Sequence, residues 1–132
     1  MKKKIDNYLQ ELFEIAKNAS ENSYSPYSGF KVGAAIQTKL GKIFTGCNIE
    51  NSSYGATICA ERTAIFKAVS ENDLAFHAIA IYVQSDKIFP PCGICRQVMA
   101  EFSNNLIVIY GNDQEIRSSS LKELMPESFI LD

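Results

Sequence analysis

Apolar residues recur at helical spacing near the start of the chain, with Lys, Glu, Gln and Asn between them. This spacing predicts an amphipathic helix over residues 4–18. Its apolar positions are Ile5, Tyr8, Leu9, Leu12, Phe13 and Ala16. Residues 19–29 are rich in Ser and Asn and contain the turn formers Pro26 and Gly29, so we expect the helix to end in a loop.

The hydrophobic pattern becomes alternating after this loop. The apolar face of the first predicted strand carries Phe30, Val32, Ala34 and Ile36, with Lys31, Gly33, Ala35 and Gln37 between them. A second strand is predicted over residues 42–47, directly after the turn at Leu40-Gly41. The short connection predicts an antiparallel hairpin, and residues 48–57 form a polar loop beyond it.

The rest of the chain alternates between helical and strand patterns. Helices are predicted over residues 59–70, 91–102 and 121–124, and strands over residues 78–84, 106–110 and 115–118. The complete order is α-β-β-α-β-α-β-β-α, without internal repeats or linkers. Strands that alternate with helices form a sheet covered by helices, so we expect one α/β domain over residues 1–132.

Composition and charge restrict the class of partner. The chain has 132 residues, of which 46% are apolar and 21% are charged, as in ordinary globular domains. Its formal net charge is -2. Because nucleic-acid binding depends on concentrated positive charge, we expect no nucleic-acid partner.

No segment has the pattern of a membrane span or a signal peptide. No stretch approaches the roughly 20 apolar residues that a transmembrane helix needs, and polar residues interrupt the segment after the basic run Lys2-Lys3-Lys4. We therefore expect no membrane association and a cytoplasmic location. In a reducing compartment the cysteines are expected to bind metal, to take part in catalysis or to lie buried, instead of forming disulfides.

Three of the cysteines form two clusters at the predicted starts of helices. Cys59 begins one helix, and Cys92 and Cys95 lie in the first turn of another. Helix N-termini carry partial positive charge, which favours the thiolate that binds metal. Cys92 and Cys95 lie at i and i+3, on one helical face. Three protein ligands leave the fourth position of a tetrahedral zinc for water or substrate.

Two charged residues after Cys59 suit a catalytic zinc site. Glu61 lies at i+2 from Cys59, so the two side chains do not share a helical face and the carboxylate is expected to stand beside the open position. There it would take a proton from water and return it to the substrate. Arg62 would donate hydrogen bonds to the thiolates and withdraw their electron density. A surface ion pair is the alternative for Arg62.

Spacing alone leaves two other interpretations of the cysteines open. Cys47 would complete a closed structural zinc site, or the cysteines would be unligated core residues. The position of Cys47 at the end of a strand favours a small buried residue instead. His77, the single histidine, is far in sequence from the clusters and is not expected to be catalytic.

The residues that flank the cysteines resemble one family. Residues 59–64 (Cys-Ala-Glu-Arg-Thr-Ala) and 91–98 (Pro-Cys-Gly-Ile-Cys-Arg-Gln-Val) are similar to cytidine deaminase in its small three-cysteine form. The similarity extends to residues 24–35, 46–51 and 124–129, so it covers nearly the whole chain in order. It implies a three-layer α-β-α fold with a five-stranded mixed sheet, helices on both faces and one Zn²⁺ per chain.

The resemblance implies a role for each matching residue. Cys59, Cys92 and Cys95 would be the zinc ligands, Glu61 the proton shuttle and Arg62 a hydrogen-bond donor to the thiolates. In the substrate pocket, Phe30 would pack against the pyrimidine, the Ala60 backbone would contact the base edge, and Asn48 with Glu50 would bind the ribose hydroxyl. Tyr54 and Phe129 would reach the active sites of neighbouring subunits in a homotetramer.

The implied reaction is hydrolytic deamination of cytidine and 2′-deoxycytidine to the uridines, with release of ammonia. A site that binds the 3′-OH through Asn48 and Glu50 favours a free nucleoside over a polymer. One alternative is deamination of a cytosine nucleoside antibiotic, as in blasticidin-S deaminase. Another is a non-catalytic zinc module with Cys47 as the fourth ligand. Phe30, with Asn48 and Glu50, favours the ordinary nucleoside.

Overall fold

Helices cover both faces of a five-stranded sheet in a computed structural model of the chain, which describes residues 4–131. The elements are α1 (Asn7–Ser20), β1 (Val32–Thr38), β2 (Ile43–Cys47), α2 (Ala60–Ser70), β3 (Phe76–Val83), α3 (Gly93–Phe102), β4 (Ile107–Gly111), β5 (Ile116–Ser120) and α4 (Leu121–Leu124). The predicted order of elements is confirmed. A 3₁₀ turn, Tyr54–Ala56, lies in the predicted polar loop, and Lys2 and Lys3 lie outside the described residues.

The strands follow the spatial order β2-β1-β3-β4-β5. The strand β1 pairs antiparallel with both β2 and β3, β3 pairs parallel with β4, and β4 pairs antiparallel with β5. The predicted hairpin and the mixed sheet are therefore confirmed. A parallel pair needs a crossover connection, and the one between β3 and β4 carries α3, whose N-terminus holds the second cysteine cluster.

Each face of the sheet contributes to a separate apolar core. In β3, Ile79 and Ile81 pack with residues of α2, α3 and α4, whereas Ala78 and Ala80 pack with residues of α1. Successive strand residues point to opposite faces, so this central strand is apolar on both sides because both sides are covered. The result is the expected three-layer arrangement.

Most predicted boundaries shift by one to three residues, and two of these shifts have a clear local reason. The first helix begins at Asn7, because Asp6 has the extended backbone of an N-cap residue (φ -62, ψ 149). The first strand begins at Val32 instead of Phe30, since the Asn48 side chain takes hydrogen bonds that a neighbouring strand would otherwise take. At the other end of the chain, Ser120 caps α4 through a capping box with Glu123.

Long apolar helices are missing from the part of the chain that the structure describes. No helix within residues 4–131 has the length and hydrophobicity needed to cross a bilayer.

Candidate metal centre and substrate cavity

The two cysteine clusters meet where α2 and α3 begin. Cys59 is the N-cap of α2, Cys92 is the N-cap of α3, and Cys95 is fully buried in the first turn of α3. The three Sγ atoms lie within 4.8 Å of one another, and those of Cys59 and Cys92 are 3.8 Å apart. Among residues 4–131 this is the one such group of cysteine, histidine or acidic side chains.

The spacing of the sulfur atoms fits a tetrahedral zinc ion. Sulfurs bound at about 2.3 Å to a tetrahedral zinc lie about 3.8 Å apart, which is the separation between Cys59 and Cys92. The donor set consists of three soft thiols, the ligands that zinc accepts readily. Cys47 is not a member of the group, so the geometry does not support the closed four-cysteine site.

Hydrogen bonds within the cluster favour a thiolate at Cys59. The pKa of Cys59 is lowered to about 5, chiefly because the Cys95 thiol donates a hydrogen bond to its sulfur, with a further contribution from Arg62. The pKa of Cys95 is raised, because its proton is held in that hydrogen bond and because the side chain is buried. A metal ion that binds to the sulfur atoms displaces such shared protons, because thiols bind metal in their deprotonated form.

Close packing against β2 sets the position of the α2 N-terminus. A Cβ atom at Gly46 would lie 2.6 Å from the carbonyl oxygen of Ala60, so only glycine allows the helix to approach the strand this closely. The Thr63 hydroxyl lies 3.0 Å from the carbonyl oxygen of Cys47 and 3.3 Å from that of Cys59, and donates to them. The backbone of Cys47, and not its thiol, therefore supports the metal centre.

Glu61 lies beside the cysteines in the first turn of α2. Its side chain is buried, and it lines a cavity of about 230 Å³ together with Cys59 and Cys92. Burial raises the pKa of Glu61 to about 7, and the negative charge of Cys59 adds to the effect. A carboxyl group with a pKa near neutrality is suited to both accept and donate a proton.

Arg62 points toward the sulfur atoms. Its Nη2 atom lies 3.5 Å from Sγ of Cys59 and donates a hydrogen bond to it. This contact raises the pKa of Arg62. The Nε atom is buried, so the guanidinium lies against the cluster and is not placed for the alternative surface ion pair.

The cavity beside Glu61 has mostly apolar walls. Its lining consists of Val32, Asn48, Thr57, Ile58, Cys59, Ala60, Glu61, Ile81, Phe89, Pro90 and Cys92. Ala60 is the first residue of α2, where a backbone N–H has no acceptor within the helix. Phe30 is not in this set, although its ring contacts that of Phe89, with centroids 6.0 Å apart.

Besides Val32, Thr57, Ile58 and Ile81, the sequence prediction missed two lining residues next to the metal-binding cluster, Phe89 and Pro90. They belong to the apolar run Phe89-Pro90-Pro91 immediately before Cys92. Large apolar side chains in a loop that leads into a metal-binding cluster are the signal that would have identified them.

Asn48 lines the same cavity, and its side-chain amide already makes most of the hydrogen bonds that it can make. Its Oδ1 atom accepts hydrogen bonds from the backbone N–H of Val32 at 3.0 Å and from the Ser23 hydroxyl. Its Nδ2 atom donates to the carbonyl oxygen of Phe30 at 2.8 Å. An amide nitrogen carries two hydrogens, so one donor remains for a ligand.

Glu50 lies in a neighbouring cavity of about 360 Å³, lined by Tyr27, Ser28, Glu50, Tyr54 and Thr57. The backbone N–H groups of Tyr27 and Ser28 donate to its Oε1 atom at 2.9 and 3.1 Å, and the Ser28 hydroxyl donates to Oε2. The Ser28 hydrogen bond lowers the pKa of Glu50. Thr57 lines both cavities, so they lie side by side.

Three other residues lie apart from the cysteines. Tyr54 is 80% exposed and contacts Tyr27 edge-on at the second cavity. Phe129 is 68% exposed, its carbonyl oxygen accepts a hydrogen bond from Gln97 at 3.0 Å, and it lines neither cavity. His77 stacks on Tyr8 of α1 and shares a hydrogen bond of 3.0 Å with its hydroxyl.

Comparison with known proteins connects this geometry to one family. Residues 6–111 match the model of the cytidine and deoxycytidylate deaminase zinc-binding region. A cytidine deaminase of Halalkalibacterium halodurans is 48% identical over 122 residues, which are 91% of this chain and 92% of the relative. The crystal structure of cytidine deaminase from Burkholderia pseudomallei has a TM-score of 0.87 and 45% identity, covering 95% of this chain and all of that one.

A more distant relative carries a different name. The blasticidin-S deaminase of Bacillus cereus is 31% identical over 133 residues, which are 93% of this chain and 95% of the relative.

Proposed function

This chain belongs to the cytidine and deoxycytidylate deaminase family, and on that premise we propose that it deaminates cytidine and 2′-deoxycytidine to uridine and 2′-deoxyuridine. The observation that carries the proposal is the group of three cysteines with Glu61 beside it in one cavity. Water adds to C4 of the pyrimidine, the bond between C4 and the amino nitrogen breaks, and ammonia leaves.

Cys59, Cys92 and Cys95 would hold one zinc ion per chain. When bound there, zinc supplies Lewis-acid activation of the attacking water. Three protein ligands would leave one coordination position for water, as in catalytic zinc sites, and Glu61 lines the same cavity as Cys59 and Cys92.

Glu61 moves the protons. Its carboxylate takes a proton from the attacking water and delivers it to N3 of the ring, and later it helps to protonate the leaving amino group. Burial supports this role because it brings the pKa of Glu61 to about 7. The nearby Ala60 backbone is placed to contact the edge of the base, since it lines the same cavity.

Arg62 adjusts the charge of the cluster. Three thiolates around a divalent cation leave a net negative charge, which opposes the acidification of water. The hydrogen bond from Arg62 to Cys59 withdraws part of that electron density. We therefore assign Arg62 a supporting role in activating the water.

Asn48 and Glu50 bind the sugar. Asn48 keeps one N–H to donate, because Nδ2 uses only one of its two hydrogens, for the carbonyl oxygen of Phe30. Glu50 is an acceptor whose orientation is held by Tyr27 and Ser28. A 3′-hydroxyl that accepts from one and donates to the other satisfies both. A phosphate group would meet the negative charge of Glu50, which favours nucleosides over nucleotides.

The proposed assembly is a homotetramer in which neighbouring subunits complete each site. Its support is the resemblance of the segments that carry Tyr54 and Phe129 to the corresponding segments of cytidine deaminases, and both side chains are exposed, at 80% and 68%, where a neighbouring subunit can reach them. Light scattering should give four chains per particle, and an active monomer would contradict the proposal.

We also propose a cytoplasmic location. The four cysteines of the chain form no disulfide, which suits a reducing compartment.

A spectrophotometric assay on zinc-quantified protein tests the activity. The loss of cytidine absorbance should be rapid for cytidine and 2′-deoxycytidine and slow for cytidine monophosphate. The antibiotic blasticidin S, supplied as a competing substrate, should be turned over more slowly than cytidine. Absence of turnover with cytidine at full zinc occupancy would reject the proposal.

A further inference from the structure

Phe89, which lines the cavity that contains Glu61, forms an aromatic pair with Phe30. Their ring centroids are 6.0 Å apart at an interplanar angle of 67°, an edge-to-face contact. Each side chain is 46% exposed. Phe89 lines the cavity and Phe30 does not, so a molecule in the cavity meets the ring of Phe89 directly.

The segment that carries Phe89 is held in place relative to the metal centre. Pro90 and Pro91 follow it, and proline restricts φ to a narrow range. The carbonyl oxygen of Pro91 accepts a hydrogen bond of 2.7 Å from Nε of Arg96, a residue of α3. Because α3 also carries Cys95, the aromatic ring and the thiol cluster belong to one connected unit.

The chemistry of the walls matches a flat heterocycle. Polar groups of Asn48, Thr57 and Glu61 lie on the lining, and the remaining walls are mostly apolar. A pyrimidine has a polar edge and two apolar faces, so its edge requires the polar groups and its faces require apolar ones. Among the described residues that line the cavity, Phe89 is the aromatic one.

We propose that Phe89 is a specificity-determining residue that packs against the pyrimidine, with Phe30 holding its ring in position. This inference rests on the proposed function and adds a substrate contact to it. Aromatic rings bind bases through their π-faces without polar recognition. Phe89 therefore contributes to ground-state and transition-state binding alike, which affects KM more than kcat.

Kinetics of three variants test the inference. For Phe89→Ala we expect KM for cytidine and Kd for the product uridine to rise about 5- to 100-fold, with kcat within about threefold and one zinc per chain. Phe89→Tyr keeps the ring and should stay close to the wild type. The matched control is Phe66→Ala, which removes a phenylalanine of similar exposure (44%) from α2 and should change neither constant.

The outcomes separate the inference from the function on which it rests. If the wild type does not deaminate cytidine, the proposed function fails and the inference fails with it. If the wild type is active but Phe89→Ala binds cytidine and uridine normally, only the inference fails. Loss of zinc from Phe89→Ala, in proportion to its loss of activity, would also overturn it, because the residue would then be structural.

A double-mutant cycle tests the role of Phe30. Side chains in contact give non-additive effects, and an aromatic pair of this kind is worth about 2- to 10-fold in binding. The rise in KM for Phe30→Ala/Phe89→Ala should therefore be smaller than the product of the single effects by about that factor. Additive effects would show that Phe30 does not act through Phe89.

Discussion

The Nδ2 atom of Asn48 donates a hydrogen bond to the carbonyl oxygen of Phe30 at 2.8 Å. Asn48 also accepts from the N–H of Val32 at 3.0 Å, so one side chain binds the backbone on both sides of Lys31. These two hydrogen bonds take the place of strand pairing where β1 begins. The same residue that is proposed to bind the sugar thus also shapes the segment that carries Phe30.

Asn48→Asp tests this double role. The substitution places a carboxylate oxygen against the Phe30 carbonyl at a buried position (9% exposed), where an unmet polar group costs about 1–3 kcal/mol. We expect a lower midpoint of urea unfolding and a higher KM for cytidine. The matched control is Asn51→Asp in the same loop. The Asn51 side-chain oxygen accepts from the Ser53 N–H at 2.9 Å, a contact that aspartate retains. Equal stability of the two variants would show that the hydrogen bonds from Asn48 to the backbone of Phe30 and Val32 do not stabilise the fold.

Glu61→Gln removes the proposed proton shuttle while keeping the shape of the side chain. We expect kcat for cytidine to fall by at least about 10²–10⁴, the usual contribution of acid–base catalysis. Zinc content, measured by atomic emission, should remain one per chain because Glu61 is outside the cysteine group. Glu71→Gln, at the exposed end of the same helix, should retain full activity. Near-normal turnover by a zinc-loaded Glu61→Gln enzyme would exclude the role.

Arg62→Gln removes the guanidinium beside Cys59. Partners of metal ligands typically contribute about 10- to 100-fold to activity or metal affinity, so we expect kcat to fall by that factor with zinc retained. The control is Arg117→Gln, which removes an exposed arginine paired with Glu115. If both variants keep wild-type turnover, the hydrogen bond from Arg62 to Cys59 has no catalytic importance.

Cys47→Ala distinguishes an open from a closed metal site. Because the Cys47 thiol lies outside the sulfur group, the variant should bind one zinc per chain and remain active. Cys92→Ala removes a member of the group and should lose zinc. Zinc per chain, measured after dialysis against a weak chelator, compares the two variants directly. Loss of zinc from Cys47→Ala would restore the structural-zinc interpretation.

Local patterns in the sequence were sufficient for the order of the elements and for the composition of the cysteine cluster. The choice of an open zinc site over a closed one or over unligated cysteines needed the resemblance to a known family. Hydrophobic spacing and proline predict helix starts at Cys59 and Pro91, and in the structure Cys59 and Cys92 are the N-caps of α2 and α3. The nature of the metal follows from the residue types, since three thiols favour zinc. The expected position of the Glu61 carboxylate beside the metal follows from its spacing relative to Cys59. None of these steps requires knowledge of which strands are neighbours.

Nonlocal contacts were the part that spacing did not reveal. Phe89 is separated from Glu61 by β3, and Asn48 reaches back across the start of β1, so neither contact appears as a local pattern. The three cysteines were expected to converge because their flanking residues resemble a known family. The sequence determined which residues are the candidates for metal binding and proton transfer, because those candidates are chosen by residue type and helical spacing. Only the tertiary structure decided what surrounds them, because the walls of the cavity depend on how the sheet brings distant segments together.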